Sequence, residues 1–253
     1  MESYATAQQV YAAGLIFSRL GAVIMLLPGM GETFIPPRIR LSFALALALM
    51  LFPLLVRTVP PMPADAAGLA GAVIKELLIG LMIGGVLRLF MSSLATAGEI
   101  VSLQITLSFA QTANPMQAQP STTVSTFLGL IGIVLIFATD LHHLFIAAIV
   151  RSWDVFPFAQ RVPVADAGQL ALQTIGKSFA LGLQLAAPVV VFSLIFNIAT
   201  GLVGRIMPQF QVFFVATPLI LLLGLSIFAL SLGVIGVVWV DHYRDLIRIF
   251  VPS

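Results

Sequence analysis

The chain has 253 residues, of which 60% are hydrophobic and 9% charged, with 12 Lys+Arg, 10 Asp+Glu and no cysteine. Soluble domains carry about 25% charged residues, so this composition excludes an ordinary water-solvated globule, and the lack of cysteine excludes disulfides, thiol catalysis and cysteine metal sites. The formal charge of +2 comes from scattered basic residues with no basic, aromatic-interleaved stripe, which argues against nucleic acid as a partner.

The opening residues, MESYATAQQVYAAGLIFSRL, place no Lys or Arg ahead of the apolar region. They lack the positive n-region of a secretory signal and read as retained. Apolar segments then follow at about 10–30, 41–60, 69–97, 124–150, 170–203 and 212–240. Crossing about 30 Å of hydrocarbon takes roughly 20 apolar residues in a helix. The stretch 206–240, without a single charge, exceeds that length. Helix is predicted throughout because lipid offers no partner for unpaired backbone, and the blocks are too long and too evenly apolar for barrel strands. The class is an all-α integral membrane protein with about six apolar helical segments.

Between the segments stand PGMGETFIPPRIR, VPPMPADAAG, NPMQAQPSTT and WDVFPFAQRVPVADAG, whose prolines and glycines mark loops or breaks. A single domain over 1–253 is the default, with a two-part helical body divided near 151–164 as the variant. If all six segments cross, a cytoplasmic carboxyl terminus puts Arg57, Arg151, Arg161, Lys177, Arg244 and Arg248 inside, while Arg38, Arg40 and Arg205 point the other way.

The polar residues inside the apolar blocks are the candidates for function. Arg19 lies within the first block, where a cation is expected to face protein, an aqueous cavity or the interface, most simply by pairing with a neighbouring helix or carbonyl. Lys75, Glu76, Arg88 and Glu99 mark the third. On one helix Arg88 and Glu99 share a face about 16 Å apart, so each needs another partner: an inter-subunit ion pair, a wet passage, or an interfacial helix end. Asp140, His142 and His143 fall in TDLHHLF. Adjacent histidines project about 100° apart on a helix and lack the i, i+4 spacing of an HExxH zinc pair, so a polar helix end or subunit contact is preferred to a metal. Gly201 with Gly204, and Gly233 with Gly236, suit close helix approach, to a partner or within the chain. The segment SFAQTANPMQAQPSTT at 108–123 mixes Phe109 and Met116 with amides, hydroxyls and prolines. Its backbone belongs in water, a pore or a protein-lined cavity, as a linker or as a plug.

RLGAVIMLLPGMGETFIPPRIRLSFALALAL at 19–49, KELLIGLMIGG at 75–85, AGEIVSLQITLSFAQTANP at 97–115, DLHHLFIAAIVRSWDVFP at 140–157 and APVVVFSLIFNIATGLVGRIMPQFQVFFVATP at 187–218 follow one another in order. Together they resemble the FliR family of flagellar and virulence type III secretion export-gate proteins over nearly the whole chain. Gln211 stands where the family commonly has asparagine, and Asp140 with Leu141 replaces the usual asparagine-glycine; the histidine pair is closer to the flagellar branch.

The resemblance implies a structural subunit, not an enzyme, that needs no cofactor or metal. It would assemble with FliP and FliQ, alongside FlhB and FlhA, into a helical gate at the flagellar basal body, conducting unfolded exported proteins across the bacterial inner membrane. It further implies that several apolar segments are bent hairpins whose polar groups are met by partner subunits rather than by lipid, with membrane lipid as a further neighbour of the chain. A plugging loop is implied at Ser108, Phe109, Ala110, Gln111, Asn114, Pro115, Met116 and Gln117. Arg19, Glu76, Arg88, Glu99, Asp140, His142, His143, Arg205, Pro208 and Gln209 are the corresponding buried polar or subunit-contact candidates. A virulence export gate is the alternative within the family. Outside it stands a secondary transporter, whose ion path would use Arg19, Glu76, Arg88, Glu99 and Asp140.

Overall fold

A computed structural model describes residues 6–108, 122–158, 164–207 and 211–250. Among them lie seven helices: α1 (Ala7–Leu26), α2 (Pro37–Leu55), α3 (Ala66–Gln104), α4 (Thr123–Ala138), α5 (Leu141–Val155), α6 (Val164–Ile206) and α7 (Val212–Arg248). Each predicted apolar segment corresponds to one of these, except the fourth, which is divided into α4 and α5 at Thr139 and Asp140. Pro53, Pro188 and Pro218 are accommodated inside continuous helices. Five helices are individually long and apolar enough to cross a membrane, and α4 with α5 meets the same test as a broken pair.

Local chemistry sets the helix starts. Thr6 and Gln9 form a capping box, the Thr6 side chain accepting from the Gln9 N–H while the Gln9 amide oxygen accepts from the Thr6 N–H, so two orphan donors are satisfied at once. Pro37 opens α2 at a position where its missing N–H costs nothing. The Asp65 carboxylate accepts from the Gly68 N–H, 2.9 Å away, ahead of α3, and Thr122 caps α4 through the Ser125 N–H.

Three helices are far longer than a span requires. With 39, 43 and 37 residues, α3, α6 and α7 extend about 58, 64 and 55 Å at 1.5 Å per residue. Fitting such lengths within about 30 Å of hydrocarbon demands a tilt well beyond the usual range of 0–40°.

The chain forms two compact units, one of Met1–Phe90, Asp140–Ile175 and Tyr243–Ser253, the other of Met91–Thr139 and Gly176–His242. In the first, α1 packs against α2 and also crosses the amino-terminal part of α3 at Gly80 and Gly84. A Cβ on Gly80 would sit 2.5 Å from the Arg19 carbonyl oxygen, and one on Gly84 3.0 Å from the Leu26 Cβ. This small-xxx-small spacing lets backbones approach, and Leu15, Ile16, Leu20, Ile79, Ile83 and Leu87 are buried around the crossing.

In the second unit the carboxyl-terminal part of α3 is the hub. Gly98 lies against the first turn of α4, Gly132 of α4 against Met91 and Leu94, and Gly182 of α6 against Ser93 and Thr96. From α7, Gly224 lies against Ile105, just past α3, and the Trp239 indole N–H donates to the Ser93 hydroxyl at 3.1 Å. The Ser193 hydroxyl of α6 donates to the Gln104 amide oxygen at 2.6 Å.

A Cβ at Gly98 would fall 2.3 Å from the Ser125 Cα, whereas one at Gly201 meets nothing within 4 Å. Gly98→Ala should therefore lower stability by about 1–3 kcal/mol through overpacking, while Gly201→Ala should leave it unchanged or raise it through helix propensity. Thermal unfolding of the detergent-solubilised protein, followed by fluorescence of the buried Trp153 and Trp239, separates the two.

Candidate functional site

The first unit is built around a charge with no access to solvent. Arg19, in the middle of α1, is 0% exposed and Glu76 of α3 is 1% exposed; Arg19 Nε donates to Glu76 Oε2 at 2.7 Å. Nη1 donates to the Ser152 carbonyl at 2.9 Å and reaches the Ser152 hydroxyl at 3.3 Å, and Nη2 donates to the Phe156 carbonyl at 2.9 Å. These carbonyls lie at the carboxyl end of α5, where the helix dipole favours a cation; the Ser152 carbonyl also accepts from the Phe156 N–H at 2.9 Å. Trp153 and Phe158 face the guanidinium carbon at 4.8 and 5.6 Å from their ring centroids, adding cation–π attraction. One guanidinium thus joins α1, α3 and the end of α5.

Neighbouring polar groups reinforce the same region. The Lys75 ammonium donates to the Phe158 carbonyl. Arg88 pairs with Glu32 through two contacts, so its partner comes from the loop after α1. The Tyr243 hydroxyl donates to the Leu87 carbonyl at 2.9 Å, and its ring stacks on Phe90 at 5.1 Å and meets Phe145 edge-on at 5.6 Å.

Glu99 is engaged in the second unit, where its carboxylate accepts from the Thr122 N–H at 2.9 Å. It holds the residue that caps α4, directly after the predicted plug segment. Of that segment, Ser108 is described, its N–H donating to the Ser102 carbonyl at 3.3 Å. Phe109, Ala110, Gln111, Asn114, Pro115, Met116 and Gln117 lie outside the described residues, as do Pro208 and Gln209.

Arg205 is exposed in the last turn of α6, a favourable place for a cation near a helix end. Asp140 occupies the position before α5 with φ 59° and ψ 17°. Its carboxylate lies 3.5 Å from His143 Nδ1, and the rings of His142 and His143 are 4.1 Å apart. On a regular helix adjacent histidines diverge; here they converge beside a residue held in the left-handed region.

The sequence candidates therefore divide into separate local networks. Arg19 and Glu76 meet directly, Arg88 and Glu99 find different partners, and the Asp140 group stands at the opposite end of α5 from the Arg19 contacts. Sequence reasoning did not identify Glu32, Ser152 or Tyr243. Glu32 is the sole acid of PGMGETFIPPRIR, a signal that was available. The Ser152 and Phe156 carbonyls carried none, because every residue has a carbonyl.

Long apolar helices with buried, internally compensated charges define an all-α integral membrane protein. The chain belongs to the family of bacterial export proteins, family 1, whose model matches residues 10–246, and so to the membrane proteins of flagellar biosynthesis and protein export. It is 63% identical to the flagellar biosynthetic protein FliR of Caulobacter vibrioides over 250 residues, 99% of this chain and 100% of that protein. The FliR proteins of Aquifex aeolicus and Escherichia coli are 30% and 29% identical, the matches covering 93% and 86% of this chain and 91% and 83% of theirs.

Arg19→Met should cost about 3–5 kcal/mol, since it strands the Glu76 carboxylate away from water. Arg19→Met combined with Glu76→Met should recover part of the loss by removing both charges, the remainder reflecting the lost guanidinium bonds to the Ser152 and Phe156 carbonyls. Thermal denaturation of the two variants in one detergent checks the order; equal losses would contradict a buried pair.

Proposed function

We propose that this chain is a structural, non-enzymatic subunit of the flagellar type III protein export gate, assembled with FliP and FliQ at the basal body in the bacterial inner membrane. In this reading FlhB and FlhA are neighbouring partners and unfolded flagellar proteins are the cargo. The observation that carries it is the mismatch between helix and bilayer. α3, α6 and α7 are each roughly twice as long as the hydrocarbon they would cross, yet their surfaces remain apolar along most of that length. Ile206 and Phe214 are both 78% exposed and Leu230 is 85% exposed. Apolar side chains beyond the hydrocarbon need covering, and partner helices of similar composition meet that need.

Small residues on the same elements support assembly. A Cβ at Gly201, Gly204 or Gly233 would meet nothing within 4 Å, so these positions are open to close approach by another helix. Gly236 differs, facing Leu135 at 3.4 Å. Charge pairing within the chain supports a scaffold role in preference to an ion path. Arg19 and Arg88 each have a carboxylate partner in the chain, and Glu99 binds backbone.

The gate reading assigns the 108–119 segment to obstruction of the closed pore, with Phe109 and Met116 as its bulky side chains. Glu99 at Thr122 and the close Gly98–Ser125 contact hold the exit of that segment. Deleting 108–119 should raise ion leakage in cells whose gate still assembles; unchanged conductance in an assembled variant counts against the plug.

Replacing Gly201 and Gly204 together with Ile tests the assembly itself. Lipid tolerates the added methyl groups, whereas a packed interface does not. Co-purification with FliP and FliQ should fall while the isolated chain keeps its melting temperature. Full recovery of the complex would remove this face from the interface.

A further inference from the structure

Asp140, His142 and His143 form a cluster that the export reading does not use. Asp140 sits at the N-cap of α5 but makes no side-chain capping bond. A residue before a helix ordinarily commits its carboxylate to the first-turn N–H groups; here the left-handed backbone leaves Asp140 Oδ1 3.5 Å from His143 Nδ1. The two imidazole rings lie 4.1 Å apart, and one donor atom from each of the three residues falls within 4.8 Å of the others. The side chains of Asp140 and His143 are 78% and 69% exposed, so neither is held by packing.

We propose that Asp140, His142 and His143 bind one divalent transition-metal ion of the zinc, nickel or copper class. Two imidazole nitrogens and a carboxylate oxygen form a borderline donor set suited to these ions, whereas calcium and magnesium prefer all-oxygen shells. Bond lengths of about 2.0–2.2 Å place donors about 3.3 Å apart around a tetrahedral ion. The Asp140–His143 pair already meets that separation. His142 completes it by a side-chain rotation, and water supplies the remaining position.

The positive end of the α5 dipole opposes a cation here. The Asp140 carboxylate offsets it, which makes the acid necessary as well as the two histidines. A bound ion would cross-link Asp140, outside the helix, to the first turn of α5. The site does not depend on the export reading, since it uses residues of one short segment alone.

Cobalt(II) titration of the untagged full-length protein in detergent tests the proposal. The chain has three histidines and no cysteine, so His242 is the only other histidine or thiol donor. One equivalent of cobalt should give visible d–d bands shifted and intensified relative to the aqueous ion, and zinc should displace it. Asp140→Asn should weaken zinc binding about tenfold or more, and His142→Ala with His143→Ala should weaken it at least a hundredfold. A wild-type spectrum identical to aqueous cobalt overturns the proposal without recourse to any variant. Equal zinc affinity in the wild type and the double-histidine variant also overturns it, as does equal affinity in Asp140→Asn.

Discussion

A guanidinium that cannot reach water is the constraint on which the first unit depends. Arg19 makes its hydrogen bonds to a carboxylate on α3 and to two carbonyls at the end of α5. A charge removed from solvent must be paired and hydrogen-bonded or its burial is prohibitively costly, so the helices supplying those partners are restricted to a narrow set of separations. Gly80 permits the required closeness by carrying no Cβ opposite the Arg19 backbone. Charge compensation and small-residue packing are thus two aspects of one contact: the ion pair needs the close crossing, and the glycine makes it available.

The second unit achieves cohesion with less charge. The carboxyl-terminal part of α3 is approached through Gly132 on α4, Gly182 on α6 and Trp239 on α7, while its own Gly98 accepts the start of α4. Without a strong hydrophobic drive between helices in an apolar medium, close van der Waals contact and a few interhelical hydrogen bonds carry association. The Trp239–Ser93 and Ser193–Gln104 bonds are of that kind. The outward faces of α6 and α7 remain apolar, and for helices longer than the bilayer is thick that exposure is the basis of the proposed assembly.

Much of the architecture was legible in the sequence. Six apolar segments translate into the observed helices because backbone in an apolar medium has few alternatives to helix. The break at Thr139–Asp140 was less legible, since 124–150 is apolar and its central polar residues resemble a helix end without declaring one. Pro188 and Pro218 lie inside the segments read at 170–203 and 212–240, and both are held within continuous helices. Arg19 and Glu76 were both identifiable as unusual, but their mutual pairing was not. The convergence of His142 and His143 was hidden because regular helical geometry, the natural assumption for adjacent residues, directs them apart.

What the sequence by itself determined is the solvent, the helical class and the order of the segments, together with the family to which that order belongs. These follow from composition and from local rules for backbone hydrogen bonding, which act over a few residues. Only the tertiary structure decided which group neutralises which. Arg19 meets Glu76 across 57 positions and the Ser152 carbonyl across 133, while Arg88 is matched to Glu32 across 56. Such pairings depend on where helices cross, and crossings are set by side-chain volume, the absence of a Cβ at a few glycines and the cost of an unpaired charge, summed over distant parts of the chain.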